Sequence, residues 1–309
     1  MTLINNAVLA QCAGQDGGVK TDRFLTDPRD CHFDPKVLQC TGSKMPPLCL
    51  SAEQVTTMTK YYAGVIDPVT GEVIYPGSER GNETDDPSVG GLAFQELLPE
   101  PVYDGLFYWV FGSSFGKLSS KTNYANFDFH KDVDKVDDLL AEPLNAVSTD
   151  LSDFKQRGNE LIMYHGWADP VIPSQSSINY FNALVRHDSH DNDGLQQARF
   201  EPDGDNNLRK TQEYARLFMV PGMYHCLGGP GPNVFDAITP LVNWVEKGVA
   251  PETIKATKFV DGTPPMTRPL CVFPKVAKYN GGDTNVATSF TCVADEPDFN
   301  QTPAPKYGP

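Results

Sequence analysis

The chain has 309 residues, 39% of them hydrophobic, which is enough to bury a core as one large domain or two ordinary ones and excludes disorder throughout. Lys and Arg number 25 against 40 Asp and Glu, and the resulting net charge of −15 repels phosphate backbones and anionic lipid, so nucleic acid is not an expected partner. The most apolar runs, such as Leu106 to Phe111 and Leu161 to Tyr164, are strand-sized and far from the roughly 20 residues of a membrane span.

In chain order, Met1-Thr-Leu-Ile-Asn-Asn has neither the basic nor the apolar region of a secretory signal. Cysteines stand at 12, 31, 40, 49, 226, 271 and 292, without the short pairs that zinc sites use. Nearest neighbours pair as Cys12–Cys31, Cys40–Cys49 and Cys271–Cys292, cross-links worth about 2–4 kcal/mol each, and Cys226 is left over. Disulfides call for an oxidising compartment. The expectation is therefore a chain cut from the back of a longer secreted protein, with the signal and the partner of Cys226 upstream of Met1.

Residues 1 to 155 read as irregular, with short helices. Ser51 and Gln54 form a capping box opening a helix over Ala52 to Tyr62, with Val55, Met58 and Tyr62 at helical spacing. The stretch from Asp67 to Gly91 is rich in Pro, Gly, Asn and Asp and reads as loop, and Asn82-Glu-Thr84 within it is a glycosylation sequon, as is Asn300-Gln-Thr302. Gly112-Ser113-Ser114-Phe115-Gly116 satisfies the G-x-S-x-G pattern of a nucleophile elbow. An elbow needs parallel strands before it and a helix directly after it; neither is expected here, so Ser114 is assigned to a turn. Asp132 to Asp138 reads as a solvated helix face.

After residue 155 the pattern changes to strand–loop–helix units. Glu160 to His165 is a short apolar run followed by a Gly/Asp/Pro loop and a helix from Ser174, with Ile178, Phe181, Leu184 and Val185 on one face. His187 to Asp193 is a polar insertion whose ligand-type side chains are read as solvated. Arg216 to Pro221 is a second run, leading to a helix with Phe235, Ile238, Leu241, Val242 and Val245 on one buried face, ended by Gly248. Two such units argue for part of a parallel, helix-covered sheet, in which chemistry gathers at the carboxyl ends of strands. The two loops there offer Asp169 and His225, in the order that the back of a serine hydrolase requires.

These loops resemble those of the tannase and feruloyl esterase family of secreted serine esterases. The resemblance rests on Tyr164-His-Gly-Trp-Ala-Asp-Pro-Val-Ile-Pro173, on Phe218-Met-Val-Pro-Gly-Met-Tyr-His-Cys226 with Gly228-Gly-Pro-Gly-Pro232, and on the cysteine regions at both ends. It implies an α/β fold: the C-terminal part of an α/β-hydrolase core (156–309) and a large disulfide-rich lid (1–155). It makes Asp169 the triad acid and His225 the general base, and it implies that Cys226 pairs with a cysteine just before the nucleophile. That nucleophile, a Ser in a Gly-Cys-Ser-x-Gly-Gly elbow, lies upstream of the lid in the family, and nothing before Cys12 supplies it. The family's lid binds Ca²⁺ through carboxylates and carbonyls; here Ala13 replaces the first Asp and two residues are added between Asp16 and Asp22, leaving Asp16, Asp22 and the Phe24 carbonyl as candidate ligands of a weakened site. The implied substrate is an aromatic acid ester of feruloyl or galloyl type, attached to plant polysaccharide or tannin. A non-catalytic, secreted binding or pseudoenzyme chain is the competing expectation.

Overall fold

The computed structural model describes residues 1–42, 47–83, 110–111, 127–190, 205–260 and 262–294. The chain opens with a helix absent from the sequence reading, α1 (Thr2–Cys12). Its inward stripe is Ile4, Val8 and Cys12, four residues apart, packed with Leu25, Phe33, Met58 and Tyr62. The second helix, α2 (Ala52–Ala63), starts where expected: Gln54 N–H donates to Ser51 Oγ (3.2 Å) and Ser51 N–H to Gln54 Oε1 (2.9 Å). Part of the expected loop after it is a small antiparallel hairpin, β1 (Val65–Ile66) with β2 (Val73–Tyr75). The acidic stretch forms α3 (Asp132–Leu144), which buries Leu140 alone, and a short α4 (Ser152–Gln156) precedes the sheet.

Both strand–loop–helix units are present. The strands β3 (Leu161–Gly166) and β4 (Ala215–Val220) pair in parallel from Leu161↔Ala215 to Gly166↔Val220. Between them run α5 (Gln175–His190) and α6 (Asp205–Gln212). Ile178, Phe181, Leu184 and Val185 are buried as the periodicity requires. Full burial of four aliphatic and aromatic side chains is worth about 1.5–3 kcal/mol each, which outweighs the polar residues on the helix's other face. After β4 comes α7 (Ile238–Lys247), ended by Gly248 in the left-handed region (φ 66°). Its expected buried face is wrong in this structure: Ile238, Val242 and Val245 are exposed, and Trp244 is the inward residue, stacked by Arg216.

Two antiparallel pairs complete the described chain, β5 (Thr253–Lys258) with β6 (Met266–Cys271) and β7 (Val276–Tyr279) with β8 (Phe290–Val293). Phe218, Val220, Ile254, Leu270 and Val272 form the core between β4 and the first pair. The three nearest-neighbour disulfides are all formed, and Cys226 is a free, exposed thiol. The amino-terminal loop docks on these strands: Tyr279 N–H donates to the Gly17 carbonyl (2.8 Å), and Val19 packs on Cys271, Ala277 and Phe290.

Candidate active site

Parallel pairing in this register ends β3 and β4 at the same edge, so the loops that follow them start side by side. Backbone bonds then tie the loops together: Trp167 N–H donates to the Val220 carbonyl (2.9 Å) and Ala168 N–H to that of Met223 (3.1 Å). The approach is so close that a Cβ at Gly166 would sit 2.2 Å from the Met223 carbonyl oxygen, so only glycine fits.

Asp169 is 3% exposed at the bottom of this junction. Its Oδ1 accepts from Val171 N–H (2.8 Å) and Ile172 N–H (3.0 Å). Its Oδ2 faces two imidazoles, His225 Nδ1 at 2.8 Å and His165 Nε2 at 3.2 Å. Burial pushes the carboxyl up, but the bonds from His165, Ile172, His225 and Val171 outweigh it and hold Asp169 below the usual carboxylate range. A strap from the amino-terminal half also reaches this loop. Asn82 Nδ2 donates to the Asp169 carbonyl (3.3 Å) and Glu79 accepts from Gln175 N–H (2.8 Å), while Glu83 takes bonds from Asn5, Tyr62 and Gly81.

His225 sits on a turn pinned by backbone. Gly222 (φ 62°) accepts from Gly231 N–H (3.1 Å), and Lys258 Nζ donates to the Gly229 carbonyl (2.6 Å). The residue after the imidazole, Cys226, has φ 66°, a left-handed conformation unusual for a side chain with a Cβ. The imidazole is about two-fifths exposed. An ionised carboxylate cannot donate, so Nδ1 is the donor in this contact; in the neutral ring that leaves a lone pair on Nε2, an arrangement chemically able to act as a general base.

Of the residues singled out from sequence, Asp169 and His225 are brought together. Ser114 lies outside the described residues, as do Trp109, Asn300 and Asp191 to Asp193. Asp188, expected in a solvated insertion, is buried in α5 and accepts from Thr211 Oγ1 and Tyr214 OH. Asn82 of the first sequon is fully buried, leaving no room for a glycan. His165 lay within the acid loop's motif, but nothing in its spacing marked it as a partner of Asp169.

The residues at the expected calcium loop do not fit a calcium ion. Both Asp16 oxygens are taken by backbone donors, Oδ1 by Gly14 and Gly18 N–H (3.1 Å each) and Oδ2 by Thr26 N–H (2.5 Å). Both Asp22 oxygens are taken by Arg268 Nη2 (3.0 Å each), and the Phe24 ring lies against the same guanidinium. A divalent cation at Asp22 would have to displace a buried guanidinium. Among the described residues, no group of three or more His, Cys, Asp or Glu side chains is placed to hold a metal.

The family model described as tannase and feruloyl esterase matches residues 1–293. An uncharacterized esterase of Xanthomonas campestris pv. campestris is 35% identical, over 94% of this chain and 54% of its own length. The mono(2-hydroxyethyl) terephthalate hydrolase of Piscinibacter sakaiensis is 29% identical, over 94% and 51%. The crystal structure of feruloyl esterase B from Aspergillus oryzae superposes with a TM-score of 0.73 at 23% identity, covering 94% of this chain and 56% of that one. The chain thus spans about half the length of the curated relatives it matches.

Proposed function

Since the chain belongs to the tannase and feruloyl esterase family, we propose that it carries the lid and the acid–base half of a serine carboxylic ester hydrolase acting on aromatic acid esters. The observation that carries this reading is the 2.8 Å contact of His225 Nδ1 with the buried Asp169 Oδ2, made at the joined ends of two parallel strands. The disulfides and the family point to a secreted parent.

In this reading a serine hydroxyl attacks the ester carbonyl while His225 Nε2 takes its proton. The imidazolium then returns that proton to the leaving alcohol, and water repeats the cycle on the acyl-enzyme. Asp169 keeps the hydrogen on Nδ1 and stabilises the transient positive ring. The serine of this reading is the one that the family's elbow supplies; the chain spans about half the length of its relatives. Cys226, an exposed free thiol, is then the partner of the cysteine that precedes the serine in the family's elbow. In this reading the Asp22 charge is met by Arg268.

Assay of methyl ferulate and methyl gallate hydrolysis tests the reading. Residues 1–309 alone should show no turnover above background, and a version extended with its upstream sequence should turn over and lose about 10³-fold or more on His225→Ala. Hydrolysis by residues 1–309 that Ser114→Ala abolishes would move the nucleophile to Ser114. An extended version without turnover would favour a non-catalytic remnant.

A further inference from the structure

Resting on the assignment of Asp169 and His225 as acid and base, we propose that His165 is a positioning residue for that pair: with its hydrogen on Nε2, it shares Asp169 Oδ2 with His225 and limits the carboxylate's pull on the base.

The tautomer follows from the partners. His165 Nε2 lies 3.2 Å from Asp169 Oδ2 and 3.1 Å from the Ile172 carbonyl oxygen, and neither of those groups can donate. Nε2 therefore carries the hydrogen. His165 Nδ1 lies 2.7 Å from Ser177 Oγ, a hydroxyl that can donate to it. The ring thus has a partner at each nitrogen, supplied by the acid loop and the first turns of α5. A second proton on Nδ1 would require the Ser177 hydroxyl to turn round, and would put a cation against the charge that His225 needs.

Asp169 is held by four donors, two on each oxygen: backbone N–H groups fix Oδ1, and the two imidazoles divide Oδ2. Of the two rings, His165 is the more enclosed, its side chain 12% exposed against 39% for His225. It donates without offering a lone pair on that side. Losing it leaves more of the Oδ2 charge for His225, which stabilises the imidazolium and moves its titration upward.

The test is made on the chain as it stands, ¹⁵N-labelled, by long-range ¹H–¹⁵N imidazole spectra across pH 5 to 9. His165 should show an acceptor-type Nδ1 and a protonated Nε2 at neutral pH. His165→Phe should raise the His225 midpoint by about half a unit to one unit, and His165→Gln, whose amide can still donate to Asp169 and accept from Ser177, should restore it to near the parent's value. Ser177→Ala, which removes the partner of His165 Nδ1, should make His165 easier to protonate. A His165 with its hydrogen on Nδ1, a cationic His165 at neutral pH, or a His225 midpoint unmoved by His165→Phe would each overturn the proposal. If His165→Phe does not fold, the parent tautomer and Ser177→Ala still decide. No ester is turned over in these measurements, so failure here is distinct from failure of the esterase reading.

Discussion

Replacing Arg268 with Met should cost the chain about 3–5 kcal/mol, the usual consequence of removing one partner from a buried ion pair. Arg268 is 1% exposed and Asp22 8%, so water does not screen the pair. Its Nη2 donates to both carboxylate oxygens at 3.0 Å, Nη1 donates to the Thr267 carbonyl, and the guanidinium packs between the rings of Phe290 (4.4 Å) and Phe24 (5.8 Å). Met keeps most of the apolar stem but leaves the Asp22 carboxylate buried with no cation. Two charge-assisted bonds at about 1.5–3 kcal/mol each give the same order of loss. Urea unfolding followed by tryptophan fluorescence should show the midpoint falling by roughly 1–2 M, at slopes of about 2–3 kcal/mol/M. Adding Asp22→Leu removes both charges and should recover most of the loss. Because the counter-charge is internal, neither EDTA nor added Ca²⁺ should move the parent's melting temperature. A loss under about 1 kcal/mol, or a melt lowered by EDTA and restored by Ca²⁺, would refute this account of the loop.

Alkylation of the denatured chain without reductant should modify a single cysteine, Cys226, and all seven after reduction; modification of a second without reductant would break the assigned pairing. Asp169 has its folded pKa below its unfolded one, so its contribution to stability is complete above the unfolded value, about 3.9, and is lost as pH falls through the folded value. Urea unfolding at a series of pH values should therefore show the parent losing stability on the acid side more steeply than Asp169→Asn, and equal slopes would contradict the charge-stabilised carboxylate.

The positions of the two loops that carry Asp169 and His225 were legible in the sequence because each follows an apolar strand and ends in turn residues, so position along the strand fixes position in space. The disulfides were legible for a simpler reason: each closes a short stretch of chain. Burial was harder. Ile238, Val242 and Val245 have the spacing of a buried face and lie exposed, since periodicity reports which face is apolar and not what covers it. The strand β6 carries Pro269 and a fully buried Arg268, both poor strand and core signals. Arg268 finds its reason only in Asp22, 246 positions earlier. His165 was hidden differently, because a histidine four residues before an acid in sequence says nothing about which oxygen it will reach.

The strap from Glu79 to Glu83 ties two ends of the molecule with almost no slack. One end is anchored through Glu83 to α1 and α2, and the other through Asn82 and Glu79 to the Asp169 carbonyl and the start of α5. Five residues of chain thus couple the amino-terminal helices to the backbone of the loop that carries Asp169.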